Sequence, residues 1–272
     1  MKTTYRGTRA SLVASLFLFL LTSISVKAQE SDDFLAQLHN FRVNNYVALD
    51  AYYRFIGSGS TDTLNEIVAG INSANDSMNF VTASTTGGLS KAQVASLNGE
   101  FGKFKSLMRD NINDVRNTGY PDLRLVSDMA DQAVEMNNMA TDLYQMAQEN
   151  SQAVTSRRVE AARMGAVKIA QMMARYSVRT NSSVAQTFQG AATGTPLDEQ
   201  AREFDTLLGE MSKGETEGEL EALLSDVHAK WQFIRGSYIN YNENNVGFVI
   251  DRYSKRILES LTAAIPLLQQ SA

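Results

Sequence analysis

The feature that most constrains this chain is a long stretch without helix breakers, from Pro121 to about Gln189. No second proline occurs within it, and Gly165 is its only glycine. A single helix over 122–188 would be roughly 100 Å long, so we expect it to join two packed units. The polar segment 148–158 is where such a helix would break. Apolar residues recur at the three- and four-residue spacings of an amphipathic helix: Val126, Met129, Ala133, Met136, Ala140, Leu143 and Met146, then Val159, Ala162, Ala166, Ile169, Met173 and Tyr176.

The other apolar segments also have helical periodicity, and some of them repeat. Residues 64–78 align with 197–211 at an offset of 133, and residues 103–113 align with 230–240 at an offset of 127. Two copies of a four-helix unit explain this order, although chance similarity between two alanine-rich halves is the alternative. We therefore predict an all-α fold of two tandem up-and-down four-helix bundle modules, 29–147 and 148–272, joined by a long shared helix.

Residues 1–28 have the composition of an export signal. Basic residues precede the apolar run Leu12–Val26, which ends in a Val-Lys-Ala cleavage pattern. The alternative is a retained membrane anchor, but the run is short for a span. We expect a periplasmic or secreted protein with no membrane span after cleavage.

Charge and cysteine content narrow the function classes. The predicted signal holds four of the 25 basic residues and none of the 30 acidic ones, so the remaining chain is more acidic than the net charge of −5 indicates. Such a surface argues against nucleic acid as a partner. The chain has no cysteine, which excludes disulfides and cysteine-based metal sites.

The second copy resembles a known family of sensor domains. Arg163-Met164, with Lys168 five positions after the arginine, is similar to the first-helix motif of that family. Ala229–Phe233 resembles its third helix, and Asp251–Leu258 its closing helix. The family comprises the N-terminal domains of type IV pili methyl-accepting chemotaxis transducers (PilJ-like) and the periplasmic domains of nitrate/nitrite sensors (NarX-like). The match covers about 155–268, and in the first copy Arg42 is the residue comparable with Arg163.

The resemblance implies a ligand-binding role for Arg163, Met164 and Lys168. It implies that the arginine lies at a homodimer seam and meets a small oxyanion, which a planar guanidinium suits. A stripe of small residues beside it would admit a partner helix: Val167, Ala170, Ala174 and Ser177. The alternative is a solvated or bundle-edge Arg163 paired with a nearby acid such as Glu160. For Lys168 the alternative is a solvated basic face, because it lies roughly 140° around the helix from Arg163.

Few other residues suggest catalysis or the binding of a metal or cofactor. The only two histidines, His39 and His228, fall in different copies, and the methionines follow core stripes. We expect no metal, no cofactor and no enzyme, and we expect Trp231, Phe233 and Tyr238 to pack in a core, with Trp231 equivalent to Phe104. The predicted function is that of an exported, non-catalytic, sensor-like binding protein, either for a small oxyanion or as an accessory to a membrane chemosensory or sensor kinase system. The alternatives are a helical scaffold that binds a partner protein without a small ligand, and, less favoured, an enzyme or cofactor protein.

Overall fold

A computed structural model describes residues 8–84, 86–150, 155–181, 195–243 and 245–271, with side chains from Glu30 onward. Within these ranges every regular element is a helix, which confirms the predicted all-α class. The helices are α1 (Thr8–Ser58), α2 (Thr61–Ala83), α3 (Lys91–Thr118), α4 (Leu123–Asn150), α5 (Arg157–Asn181), α6 (Leu197–Met211), α7 (Gly218–Ile239) and α8 (Gly247–Gln270).

Contacts between helices form two closed rings. In the first bundle α1 packs on α2, α2 on α3, α3 on α4, and α4 back on α1. In the second bundle α5, α6, α7 and α8 repeat the same cycle. Each ring therefore has the contact pattern of an up-and-down four-helix bundle.

The predicted helix shared by both bundles is wrong, because α4 and α5 are two helices that run in opposite directions. Tyr144 Oη donates a hydrogen bond of 2.8 Å to Glu160, and Gln148 Nε2 lies 3.1 Å from Thr155 Oγ1. In one straight helix residues 144 and 160 would be about 24 Å apart. The reversal falls in the polar segment, where no apolar stripe holds a helix together, and Ser156 Oγ accepts from the amide of Val159 at the start of α5. Residues 151–154 and 182–188 of the predicted helix lie outside the described ranges.

The two bundles lie side by side because α1 packs along α5. Asp32 contacts Arg163 near one end of this pair, Tyr46 contacts Gln171 midway, and Asp50 contacts Ser177 further along. Residue numbers rise together in both helices, so α1 and α5 are parallel. The small-residue stripe predicted to receive a partner molecule is therefore buried against the first bundle of the same chain, where Val167 and Ala174 line a cleft.

The apolar stripes pack as the periodicity predicts. All six residues of the α5 stripe are buried, as are all of the α4 stripe except Met146. Phe104 in α3 and Trp231 in α7 are both buried in their bundles, as predicted. Phe233 is the exception, because 63% of it is exposed.

Local chemistry fixes where some helices begin and end. Ser90 forms a capping box with Gln93 at the start of α3, in which each side chain bonds the other residue's amide. Gly119 ends α3 in the left-handed region, with φ of 82°, a conformation that glycine adopts without strain. No described helix has a stretch long and apolar enough to cross a bilayer.

Candidate functional site

A cleft of about 800 Å³ runs between the two bundles. Helices α1 and α4 of the first bundle form one wall, and α5 and the start of α6 form the other. We call it the inter-bundle cleft. Its polar lining includes Arg42, Tyr46, Asn137, Gln171, Arg175 and Gln200. A concave site between two packed units, with a few convergent polar groups, is the usual form of a small-molecule pocket.

Arg163 does not line the inter-bundle cleft. Only 1% of it is exposed, and its Nη2 donates to Asp32 Oδ1 at 2.9 Å. Its Nη1 donates to Tyr144 Oη at 3.2 Å and to Glu160 Oε1 at 3.4 Å. Burial opposes the charge, but Tyr144 and Asp32 raise the pKa of Arg163 above its ordinary value. Both terminal nitrogens of Arg163 thus have partners within the chain, among them the Glu160 that the alternative named, while its Nε has no described partner. The side chain is buried, neither solvated nor at the edge of a bundle.

Met164 and Lys168 do line the inter-bundle cleft. Met164 is 47% exposed and offers an apolar thioether surface. Lys168 forms an ion pair with Glu203 on α6, so its charge is already compensated. The structure thus separates the three predicted site residues: Arg163 lies in the packed interior, while Met164 and Lys168 lie at the cleft.

Arg42 was not among the site residues predicted from the sequence. It is 6% exposed, lines the cleft, and forms no ion pair with any described carboxylate. Its Nε atom is buried without a hydrogen-bond partner in the described part of the chain. Its guanidinium lies over the ring of Tyr144, 5.0 Å from the ring centre, and burial lowers the pKa of Arg42. The available signal was its position in α1, which is comparable with that of Arg163 in α5.

Tyr46 and Arg175 complete a donor wall with Arg42. Arg42 and Tyr46 are four residues apart on α1, and Gln171 and Arg175 are four apart on α5, so each pair shares a helix face. Gln171 Nε2 donates to Tyr46 Oη at 3.3 Å. Burial raises the pKa of Tyr46 to about 12, although Arg42 and Arg175 both act to lower it. The phenol therefore stays protonated at neutral pH and retains a hydrogen to donate.

Two residues that line the same cleft carry buried acceptor atoms. Asn137 on α4 is 3% exposed and Gln200 on α6 is 1% exposed. Their amide nitrogens donate to the carbonyls of Ala133 and Thr195, but Asn137 Oδ1 and Gln200 Oε1 have no described partner. Most buried polar atoms in proteins are hydrogen-bonded, so unpartnered ones lining one cleft mark it as a candidate binding site.

The histidines do not form a site together. His39 is buried on α1, where burial lowers its pKa with help from the nearby charges of Arg42 and Arg163. His228 is exposed on α7. Among the described residues no cluster of three or more histidine, aspartate or glutamate side chains is arranged to hold a metal ion.

Comparison of the chain with family models, with curated proteins and with solved structures found no match. The likeness to PilJ-like and NarX-like sensor domains therefore stays a prediction from the motifs of the second copy. What the geometry adds is a cleft between two helical bundles, with a buried arginine on its wall that forms no ion pair with a described carboxylate.

Proposed function

We propose that this chain is an exported, non-catalytic binding protein of the helical sensor type, and that its ligand is a small anion held in the inter-bundle cleft. The observation that carries the proposal is the state of Arg42, which is buried, lines the cleft, and forms no ion pair with a described carboxylate. A buried charge without a partner costs several kcal/mol, and an anionic ligand would offset that cost.

The donor wall suits an oxyanion. A guanidinium offers paired N–H donors in one plane, which match the geometry of a carboxylate or a nitrate. Tyr46 adds a hydroxyl donor, and Arg175 adds a second positive charge on the facing helix. Asp131 and Glu135 also line the cleft, but both are exposed on α4, so the anion would bind on the α1–α5 side.

The resemblance to the sensor family also favours a ligand site between α1 and α5. It implies an arginine from each of two first helices meeting at a seam, and here α1 and α5 are the first helices of their bundles. Tyr144 touches both arginines, with its ring against Arg42 and its hydroxyl against Arg163. The contact between α1 and α5 within one chain would then replace the homodimer contact that the resemblance implies. Export, and a role as accessory to a membrane sensor or chemosensory system, belong to the proposal and are supported by residues 1–28 and by the motif match.

Thermal-shift measurements with an anion panel test the proposal. Nitrate, nitrite, sulfate, acetate and benzoate would each be titrated at constant ionic strength, with chloride as the reference anion. A ligand that binds only the folded chain stabilises it by about 2.7 kcal/mol at a concentration of 100 times Kd. We expect at least one oxyanion to raise the melting temperature of the wild type.

Matched arginine variants locate the binding. Arg42→Met should abolish the shift. Arg109→Met removes an exposed arginine of α3 that does not line the cleft, and should retain it. No selective shift in the wild type, or a shift that survives in Arg42→Met, would contradict the proposal.

A second candidate function, a scaffold that binds a partner protein, is favoured by one observation. Phe233 is exposed on α7 with its ring centre 4.7 Å from that of Tyr253 on α8. Exposed aromatic residues are enriched at protein interfaces. If no anion binds, this surface becomes the better starting point, and Phe233→Ser would be tested for lost binding of candidate membrane sensors.

A further inference from the structure

The inter-bundle cleft has more volume, more apolar lining and more unpartnered polar atoms than an inorganic oxyanion would contact. Nitrate would fill only a small part of about 800 Å³, since a water molecule takes about 30 Å³ of liquid volume. Clefts of this size accommodate organic molecules whose bodies contact apolar walls. The apolar lining here comes from both bundles: Leu49, Tyr53, Val134, Met164, Val167 and Val178.

The unpartnered polar atoms are of two kinds. Arg42 Nε is a donor, so it requires an acceptor on the ligand. Asn137 Oδ1 and Gln200 Oε1 are acceptors, so they require a donor. An oxyanion without hydrogen satisfies the first requirement and leaves the second unmet. Leaving a buried acceptor unpaired costs about as much as losing a hydrogen bond.

We infer that the ligand of the cleft is an amphipathic organic carboxylate that also carries a hydroxyl or amino donor, as in a hydroxy acid or an amino acid with an apolar side chain. This inference rests on the proposed function, because it assigns the ligand class of the same cleft. The carboxylate binds at Arg42, Tyr46 and Arg175. The donor group binds Asn137 Oδ1 or Gln200 Oε1, and the apolar body contacts the walls of α4 and α5.

Four phenyl compounds of matched size separate the requirement for a carboxylate from the requirement for a donor. 3-Phenyllactate and phenylalanine carry a carboxylate and a donor, with a hydroxyl in the first and an ammonium in the second. 3-Phenylpropionate lacks the donor, and 3-phenylpropane-1,2-diol lacks the charge. Isothermal titration of the full chain at constant ionic strength would measure the affinity of each, with nitrate as the inorganic probe.

We expect 3-phenyllactate or phenylalanine to bind roughly tenfold more tightly than 3-phenylpropionate. The reason is that 3-phenylpropionate leaves one buried acceptor unpaired, which costs about as much free energy as a tenfold change in affinity. The diol should bind at least tenfold more weakly than the tighter of the two, because it leaves Arg42 without an anion. Gln200→Leu keeps the shape of the side chain and removes its acceptor. It should reduce the ratio between the donor-bearing probe and 3-phenylpropionate towards one without weakening 3-phenylpropionate itself. Asn137→Leu removes the other candidate acceptor, so at least one of the two variants should reduce this ratio.

The outcomes are distinguishable. Arg42-dependent binding of nitrate without binding of any phenyl compound would uphold the proposed function and overturn this inference. Equal affinities for 3-phenyllactate, phenylalanine and 3-phenylpropionate would overturn the assigned donor. Preference for a donor-bearing probe that is unchanged in both Gln200→Leu and Asn137→Leu would also overturn it. Failure of nitrate and of every phenyl compound to bind would count against both proposals.

Discussion

The two bundles share one plan, but the comparable arginines of their first helices have different surroundings. In the second bundle the aromatic core residues have polar partners: Trp231 Nε1 donates to Asp205 at 2.8 Å, and Tyr238 and Ser254 share a hydrogen bond of 2.8 Å. Both bundles also contain buried side-chain atoms without a described partner, on His39, Arg42 and Asn45 of α1 and on Arg158, Arg163 and Gln200 of the second bundle. The comparable arginines differ in charge compensation, because Arg163 forms ion pairs with Asp32 and Glu160 and Arg42 forms none with a described carboxylate.

This difference indicates different roles for Arg42 and Arg163. Unpartnered polar atoms in a packed interior are destabilising, so their presence calls for an explanation other than packing. Arg42 lines the inter-bundle cleft, where a ligand can reach it, whereas Arg163 in the comparable position of α5 is enclosed by Asp32, Glu160 and Tyr144. We infer that α1 of the first bundle supplies the main anionic anchor, Arg42, and that α5 and α6 of the second bundle supply the facing wall of the cleft.

The largest expected effects come from the bundle cores. Trp231→Ala and Phe104→Ala should each reduce the free energy of unfolding by roughly 3–5 kcal/mol, because both side chains are fully buried. Urea denaturation followed by circular dichroism measures the loss. A change below about 0.5 kcal/mol in either variant, the size typical of a surface site, would show that the two positions are not equivalent core positions.

Arg163→Met should come next, with a loss of roughly 3 kcal/mol. Removing one partner of a buried ion pair typically costs about 3–5 kcal/mol, and here Asp32 and Glu160 retain some solvent contact that reduces the penalty. The same denaturation experiment applies, with Arg109→Met as the exposed control. If Arg163→Met is no more harmful than the control, then Arg163 does not stabilise the α1–α5 seam.

A smaller, pH-dependent effect is expected at Asp205. Burial alone would raise the pKa of Asp205, but hydrogen bonds from Arg235 and Trp231 lower it below its ordinary value of 3.8. A lowered folded-state pKa gives stability that is present above the unfolded pKa and lost as pH falls through the folded value. The melting temperatures of wild type and Asp205→Asn should therefore differ by a constant amount well above the ordinary pKa of an aspartate, and should converge as the pH falls below it. A gap that stays constant throughout would mean that the carboxylate charge does not contribute.

The sequence predicted the helices better than their arrangement. Residues such as Val159 and Met173 could be assigned to the core because helical periodicity depends only on near neighbours. The reversal between Asn150 and Arg157 could not be predicted in the same way, since both flanking segments favour helix and periodicity carries no information about direction.

The site depended on contacts between distant parts of the chain. Arg163 was singled out by a short motif, but its partner Asp32 lies 131 residues away, and no local pattern predicts that pairing. Arg42 became distinguishable from Arg163 only through the packing of α1 on α5, which buries both arginines and gives a carboxylate partner to one of them. Met164 and Lys168 reach the cleft for the same reason.

The unfolding free energy of ligand-free Arg42→Met tests the central comparison most directly. Methionine removes the uncompensated charge and keeps an apolar side chain of similar length, while it loses the contact with Tyr144, which is worth about 0.5–2 kcal/mol. Relief of the buried charge, which costs several kcal/mol, exceeds that loss, so we expect Arg42→Met to be at least as stable as the wild type. A loss of 3 kcal/mol or more, equal to that expected for Arg163→Met, would show that Arg42 stabilises the fold as Arg163 does and would contradict its assignment to a ligand.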